Sequence, residues 1–333
     1  MTNARQPLEV KWEAQGSVPH YRFDQVQPLL QGRAQIEGVK IVLEDIMVNA
    51  GFYENERFKD GSFGILDCNW GDTLPAIAAG WDFRLIPIFV KRKPVWQYLW
   101  VRTDRGIENP KDLEGKTIAT VGYGSAISTY TRGFLQHFYD VDITKLHWLS
   151  AGPARFDLHK DVSVEYPDGP RKSPVERLIA GEVDACTGDI TDIKAWRALD
   201  EAPDVRLMFP NYPELNEKLF VEKGICTPVH VLAIGGQIMR EHPDLARRIY
   251  DGYERSTQIA LDDALGDGTG YSLIVHMRET LGEQVRTWGD VWRHGLRNNG
   301  PNVDTFLDYN YEQGLTKTRL SYEEVFAPGT LDT

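Results

Sequence analysis

The sequence predicts an α/β protein of two lobes, with two crossover strands between the lobes and a helical C-terminal tail. Three observations support this class. Strand-like apolar runs alternate with helical runs up to about residue 235, which is typical of α/β folds with mainly parallel sheets. A polar, turn-rich stretch at 103–116 divides this region into two α/β units. Beyond residue 235 the pattern is almost entirely helical.

The first unit combines apolar strand patterns with helical patterns that end in glycine. Gly32, Gly61 and Gly80 each follow a helical run, and glycine readily adopts the left-handed backbone angles that end helices. The expected strands are 8–14, 38–46, 62–68, 82–90 and 96–102, and the expected helices are 20–32, 48–61 and 70–80.

The second unit repeats the alternation around a long polar segment. Residues 152–173 contain three prolines and two glycines, which predicts a long loop or lid. The expected elements are strands at 116–121, 146–150, 183–189 and 205–209, and helices at 125–139, 173–182 and 191–200.

An apolar strand at 227–235 then leads into a long amphipathic helix at 242–265. We therefore expect an inserted lobe and a discontinuous lobe that includes the tail. Ligands of open α/β sheets bind beyond the carboxyl ends of the strands, so the cleft between the lobes is the expected site. The expected ranges are 1–102 plus 231–333 for the first lobe, 103–230 for the second, and crossovers near 97–103 and 227–235.

Composition excludes several classes of partner. The 333 residues are 41% apolar and 26% charged, as in ordinary globular proteins. The net charge of −12 disfavours nucleic acid and anionic membranes as main partners, but not a small anion at a local site. The basic and aromatic run at 91–102 does not change this expectation. No secretory signal or membrane-spanning run is present, which predicts a cytoplasmic protein.

Cysteines and known motifs give no sign of a cofactor. Cys68, Cys186 and Cys226 are widely spaced and fit neither a disulfide framework nor a zinc site. The sequence lacks the phosphate-binding loop, the zinc-protease and nucleophile-elbow motifs, and a complete dinucleotide fingerprint. We therefore expect no nucleotide cofactor.

The most informative stretch is "TVGYGSAIS", in which a strand ends in a glycine-rich bend and a helix begins at once. Free amides at a helix start, together with the helix dipole, bind anions. Tyr123, Gly124, Ser125 and Ser128 are therefore expected to hold a substrate carboxylate. The alternative is that Ser125 only caps its own helix. Arg132, two turns on, either pairs with a carboxylate or is solvated.

The loop "PHYRFD" after the first strand is unusually rich in titratable groups. His20 is a candidate general acid or base because histidine titrates near neutral pH. Arg22 could grip a carboxylate with two hydrogen bonds, and Asp24 could assist the histidine. The alternative is a surface loop with scattered charges.

"LDCNWGD" places polar residues at the carboxyl end of the third strand. Asp67 and Asn69 are expected to face the cleft, and Trp70 could stack on an aromatic ring. Trp96 lies at the first crossover and is a candidate for the cleft edge.

Two further candidates lie late in the chain. His230 sits inside the apolar strand at 227–235, where a histidine is more often a hydrogen-bonded core residue than a catalyst. Asp189 ends "VDACTGD" and is a candidate cleft residue.

Several stretches together resemble the type II periplasmic-binding-protein fold, and within it the 4,5-dihydroxyphthalate decarboxylase family. They include "PKDLEGKTIATVGYGSA", "VERLIAGEVDACTGD", "FDQVQPLLQGRAQIEGV", "VWQYLWVRTDRGIENPKDLEGK" and "KGICTPVHVLAI". The order and spacing of these stretches over about residues 22–235 carry the resemblance.

The resemblance implies a carboxy-lyase that takes an aromatic carboxylate, such as a phthalate, in the catabolism of aromatic compounds. It also implies a role for His230, the histidine of the strand at 227–235. In the mechanism we expect, no organic cofactor is needed, and a divalent metal is left open. The expected roles are proton donation by His20 or His230, assistance by Asp24 or Asp67, carboxylate binding by Arg22 and Ser125, and ring packing by Trp70 and Trp96.

Two alternatives stay open at this point. One is a solute-binding protein that captures an aromatic or small carboxylate for an ABC-type transporter. The other is a different enzyme of this fold, similar to lyases that act on chorismate-derived acids. The tail helices at about 242–296 could cover the first lobe and could also build a homo-oligomer.

Overall fold

The computed structural model describes residues 6–14, 23–47, 55–152, 155–168, 172–188, 190, 192–266 and 273–333. The strands of these ranges are β1 (Leu8–Ala14), β2 (Val39–Met47), β3 (Ile65–Asn69), β4 (Phe83–Arg92), β5 (Trp100–Arg102), β6 (Thr117–Thr120), β7 (His147–Ser150), β8 (Ser163–Glu165), β9 (Ala185–Thr187), β10 (Val205–Leu207) and β11 (Pro228–Gly235).

The helices complete the two lobes and form the tail. They are α1 (Gln27–Leu30), α2 (Glu56–Lys59), α3 (Trp70–Ala78), α4 (Ala126–Tyr139), α5 (Pro174–Ile179), α6 (Ile193–Glu201), α7 (Tyr212–Lys223), α8 (Gly236–Glu241), α9 (Leu245–Leu265), α10 (Met277–Trp288), α11 (Leu296–Glu312) and α12 (Tyr322–Val325). In the described ranges, no helix has the length and apolar character needed to cross a membrane.

The strands form two sheets, which confirms the predicted α/β class. The first sheet has the order β2-β1-β3-β11-β4, and the second has the order β10-β5-β9-β6-β7-β8. The chain passes from the first sheet to the second between β4 and β5, and returns between β10 and β11. The lobe boundaries expected after residues 102 and 230 stay a prediction, and β5 itself lies in the second sheet.

The sheets are more mixed than expected. β1 pairs in parallel with β2 and β3, and β6 pairs in parallel with β7 and β9. However, β11 runs antiparallel to both β3 and β4, because a strand that returns from the other lobe enters the sheet from the opposite end. The ends of β1, β3 and β4 and the start of β11 therefore share one edge of the first sheet, which we call the cleft edge.

Some predicted elements differ in the structure, and one helix was not predicted. The strand expected at 96–102 is reduced to β5, because Val95–Tyr98 forms a 3₁₀ turn directly after Pro94. The segment expected as a loop contains the short parallel strand β8. The helix α7 was missed, although it begins with a proline in its first turn and ends at Gly224 in the left-handed conformation.

Both faces of the first sheet are buried. Alternate residues of a strand point to opposite faces, so Ile65 packs in a cluster with Trp12 and Tyr253, while Leu66 packs in the larger core. That larger core continues through α3 and α11, where the ring centroids of Trp70 and Phe306 lie 4.7 Å apart. The tail thus closes one face of the sheet.

The two lobes meet through the helices α3 and α4. A Cβ added at Gly71 of α3 would collide with the carbonyl oxygen of Gly124, just before α4. α11 also contacts α4: the rings of His137 and Tyr309 stack at 5.1 Å, and His137 Nε2 lies 2.6 Å from the Glu312 carboxylate. The tail therefore packs against both lobes.

We predict that Gly71→Ala destabilises the protein by about 1–3 kcal/mol, because the added methyl group overpacks the contact between the lobes. Gly282→Ala is the matched control, since Gly282 lies within α10 and the added methyl group would meet only the end of the Arg286 side chain, at 3.5 Å. It should stabilise by up to about 1 kcal/mol through helix propensity. Urea unfolding of both variants tests this, and equal shifts of the same sign would contradict it.

His294 is a fully buried histidine between α10 and α11, and it links this segment and α9 to β4. Its Nδ1 accepts a hydrogen bond from the Phe89 amide at 3.2 Å, so its Nε2 carries the proton and faces Thr257 Oγ1 at 3.1 Å. Burial, together with the nearby Arg92 charge, lowers the pKa of His294 to about 3. The imidazole is therefore neutral in the folded protein at ordinary pH.

This lowered pKa predicts acid sensitivity. Between the unfolded pKa of about 6.5 and the folded value, only the unfolded chain binds the proton, so stability falls as pH falls. The loss is about 1.4 kcal/mol per pH unit for one group. His294→Gln can keep both hydrogen bonds without titrating. We expect the wild-type protein to lose more unfolding free energy than His294→Gln when the pH falls from 7 to 4.5. Parallel stability curves would contradict this.

Candidate active site

A hydrogen-bonded carboxylate and imidazole lie at the cleft edge. Asp67 of β3 and His230 of β11 come from neighbouring antiparallel strands, with His230 opposite Asn69. Asp67 Oδ1 lies 2.7 Å from His230 Nδ1, and the two residues are 0% and 7% exposed. A carboxylate in this position orients the imidazole. The other ring nitrogen, Nε2, is then available for proton transfer.

The second oxygen of Asp67 makes this pair unusual. Asp67 Oδ2 is buried and has no hydrogen-bond partner among the described residues. A buried carboxylate oxygen without a donor is costly, and such groups often occur where a ligand completes the hydrogen bonding. In β1, Ala14 is the register partner of Asp67. The chain then continues into residues 15–22, so His20 and Arg22 lie outside the described residues, as does Asp189.

Asn69 joins the starts of two helices. Its Oδ1 accepts hydrogen bonds from the Gly71 amide of α3 and from the Ala126 amide of α4, both at 3.0 Å. Ala126 is the first residue of α4, so one amide that we expected to hold a ligand is bound to Asn69 instead. Sequence analysis missed this role because the two amides belong to segments far apart in the chain.

The hydroxyl groups beside α4 form a network. Ser125 is the N-cap residue, yet its side chain makes no capping hydrogen bond, contrary to the alternative reading. Its Oγ lies 2.8 Å from Ser128 Oγ, and Ser128 also bonds to Thr120 at the end of β6. Gly124 lies close to Leu315: a methyl group added at Gly124 would be 3.4 Å from the Leu315 side chain. The network presents adaptable donors and acceptors next to the helix start.

Arg132 is fully buried and is neither solvated nor paired with a carboxylate of the described residues. Its guanidinium lies 3.7 Å from the centroid of the Tyr123 ring and donates to the Tyr123 carbonyl at 2.7 Å. Its Nε donates to Gln313 Oε1 at 2.7 Å, and the Trp148 ring lies 5.2 Å away. Burial lowers the pKa of Arg132. In this geometry Arg132 ties the glycine-rich bend to the tail.

The remaining expected residues are dispersed. Trp70 is 0% exposed between Phe89 and Phe306. Trp96 is 5% exposed and packs on Phe134 at 4.7 Å. Both rings are core residues in this structure, so neither presents an open face to a ligand.

Asp24 is exposed at the start of a 3₁₀ turn, where its Oδ1 accepts from the Gln25 amide at 2.9 Å. The structure thus brings together Asp67, His230 and Asn69 at the cleft edge, and Asn69 links them to the start of α4. No group of three or more His, Cys, Asp or Glu side chains in the described ranges is arranged to hold a metal ion.

The position of Arg132 gives a prediction that separates a structural role from substrate binding. Arg132→Met leaves the Tyr123 carbonyl and Gln313 without their donor, so we expect a loss of about 2 kcal/mol or more in unfolding free energy. Arg132→Lys should not restore it, since lysine lacks the planar fork. Gln313→Leu should lower the unfolding free energy less in the Arg132→Met background than in the wild-type protein, because the hydrogen bond between the two side chains is already lost there. Unchanged stability with only a raised KM would instead show a substrate contact.

The comparisons with known proteins separate sequence similarity from fold similarity. No protein-family model matches the chain. A 4,5-dihydroxyphthalate decarboxylase from Comamonas testosteroni is 26% identical over 329 residues, which cover 93% of this chain and 96% of that protein. A protein of the same name from Pseudomonas putida is 26% identical over 200 residues, 56% of this chain and 74% of its own.

Solved structures share the fold at low identity. A periplasmic sulfonate-binding protein from Methylobacillus flagellatus has a TM-score of 0.59 at 12% identity, covering 98% of this chain and 93% of its own. The aliphatic sulphonate binding protein of Escherichia coli gives 0.54 at 16%, covering 98% and 100%. A desulfurization enzyme gives 0.51 at 14%, covering 98% of each chain. The comparisons confirm the predicted resemblance to 4,5-dihydroxyphthalate decarboxylases and the predicted periplasmic-binding-protein-like fold.

Proposed function

We propose that this chain is a carboxy-lyase that removes CO2 from an aromatic carboxylic acid of the phthalate type, without an organic cofactor. The observation that carries the proposal is the buried Asp67–His230 pair at the cleft edge, with 2.7 Å between Oδ1 and Nδ1. The two relatives named 4,5-dihydroxyphthalate decarboxylase support the reaction type. The substrate class, a cytoplasmic location and a role in aromatic catabolism are parts of the same proposal.

The proposed reaction needs one proton donor and a place for electrons. A ring hydroxyl para to the leaving carboxylate supplies electron density to the ring carbon. His230 Nε2–H donates its proton to that carbon, and a new carbon–hydrogen bond forms. The carbon–carboxylate bond then breaks, its electron pair restores the aromatic ring, and CO2 leaves. A proton from solvent then replaces the one that Nε2 gave to the ring carbon, and the Asp67 carboxylate keeps the imidazole oriented throughout.

The second carboxylate of the substrate needs an anion site near this pair. The start of α4 provides the positive end of a helix dipole, and Ser125 and Ser128 provide hydroxyl groups beside it. Asn69 stands between this helix start and the Asp67–His230 pair. We therefore place the substrate between His230 and Ser125, with the leaving carboxylate at His230.

Several expected roles stay predictions within this proposal. Arg22 would add a bidentate carboxylate contact, and His20 is an alternative proton donor from the same loop after β1. Asp24 would act only if that loop brings a substrate hydroxyl to it. Trp70 and Trp96 are not used here as ring platforms, because both are core residues.

We predict that His230→Gln lowers kcat for CO2 release from 4,5-dihydroxyphthalate by about 100-fold or more, the usual effect of losing a general acid. Glutamine can still donate a hydrogen bond to Asp67, so the fold should persist. Asp67→Asn should lower kcat by about tenfold to 100-fold. His147→Gln is the matched control, because His147 is exposed at the start of β7.

The same assay separates the alternatives. Full turnover by His230→Gln with an intact fold would exclude His230 as the acid and turn attention to His20. A thermal shift on adding the phthalate, without CO2 release by the wild-type protein, would favour the solute-binding alternative. If the wild-type protein shows neither a thermal shift nor CO2 release, both the carboxy-lyase proposal and the solute-binding alternative for this ligand are contradicted.

A further inference from the structure

A cavity lies away from the Asp67–His230 pair, where the two crossover segments meet. Its volume is about 480 Å³, within the range of small-molecule sites. It is bounded by the end of β4, the start of β11, and the helices α7 and α10. Neither His230 nor Asn69 lines it. The backbones of Lys93 and Thr227 hydrogen bond at 3.0 Å at its base, so both crossover segments contribute.

The charge at the base of this cavity is not neutralised. Arg92 donates to the Cys226 carbonyl and to Asn299 Oδ1, both at 2.6 Å, and both acceptors are uncharged. No carboxylate of the described residues lies within ion-pair distance of Arg92, and the charge of Asp290 acts only at longer range. Arg92 lines the cavity and is partly exposed there. A guanidinium that has only uncharged acceptors favours an anion beside it.

The walls of the cavity are aromatic. Trp288, Trp292 and Tyr212 line it and are each half-buried, so each ring keeps accessible surface. Trp292 lies 6.0 Å from the Arg92 guanidinium, and Trp288 stacks on Phe220 at 5.5 Å, which holds its ring in place. Such rings pack well on a flat apolar body.

The charged residues at the mouth of the cavity restrict where a ligand can place negative charge. Glu214 and Glu217 line the cavity and are exposed at its mouth. Arg92 and Lys93 also line the cavity, so two cations balance these two carboxylates. The exposed carboxylates disfavour a negative charge at the mouth but can accept hydrogen bonds from ligand hydroxyl groups. We propose that this cavity is a binding site for a small aromatic monocarboxylate, with its carboxylate at Arg92 and its ring between Trp288 and Trp292.

Cys226 makes the proposal testable without catalysis. It lines the cavity and is partly exposed, whereas Cys68 and Cys186 are each 0% exposed. Burial raises the pKa of the Cys226 thiol, so labelling with N-ethylmaleimide is best run at mildly alkaline pH. The probe is benzoate, and the readout is the labelling rate of Cys226 from mass spectrometry.

We expect millimolar benzoate to slow labelling of Cys226, and phthalate to do so less at the same concentration. Arg92→Met should weaken protection by about tenfold or more, the effect of losing a charge-assisted hydrogen bond. Trp288→Ala should also weaken it, and it tests the same site if Arg92→Met does not fold. His230→Gln should leave protection unchanged, which separates this site from the proposed active site.

Other results would overturn the proposal. Labelling that benzoate does not slow, or protection that persists in both folded variants, would show that the cavity does not bind the acid. Protection that is lost in His230→Gln would place the benzoate in the proposed active site instead. Because no turnover is measured, failure here leaves the carboxy-lyase proposal untouched.

Discussion

One side-chain oxygen joins the two lobes: Asn69 Oδ1 accepts hydrogen bonds from the first turns of α3 and α4. Helix starts carry partial positive charge, so two of them facing each other are unfavourable unless a negative dipole lies between. Asn69 supplies that dipole, and Gly71 allows the backbones to approach. Because Asn69 lies opposite His230 in the sheet, this contact sets the position of the Ser125 hydroxyl relative to the Asp67–His230 pair.

The tail reinforces this arrangement from the other side of α4. Gln313 bonds both to the Arg132 guanidinium and, through its Nε2, to the Thr129 carbonyl at 2.8 Å. Glu312 and Tyr309 contact His137 one turn further along α4. A segment that follows the first sheet in sequence thus holds the second lobe. Any separation of the two lobes would have to break these contacts as well as bend the crossover segments.

The positions of most strands along the chain were predictable because each of those strands is an apolar run bounded by glycine or polar residues. Asp67 was predictable as a cleft residue because it ends such a run, and His230 was singled out by the family resemblance. Their mutual hydrogen bond was not, since 163 residues separate them and register is a tertiary property. The polar side chains at strand ends were therefore the most informative sequence feature for predicting site residues.

The errors also have physical causes. Trp70 directly follows a polar strand end, but its helix turns the indole toward Phe306 of the tail, which local sequence does not reveal. Arg132 lies on a helix face that looks solvated until Tyr123, Trp148 and Gln313 enclose it. The α7 helix was missed because its apolar residues do not gather on one face, and its packing against the crossover segment stabilises it instead.

The most direct test of the account is hydrogen exchange at the Ala126 amide in the wild-type protein and in Asn69→Ala. If Asn69 holds both helix starts, removing its side chain should accelerate exchange at Ala126 and at Gly71 by about tenfold or more, while amides in the middle of α4 keep their rates. An unchanged rate at Ala126 would mean that the lobes are not joined at this residue. The position of the hydroxyl groups at the start of α4 would then need another explanation.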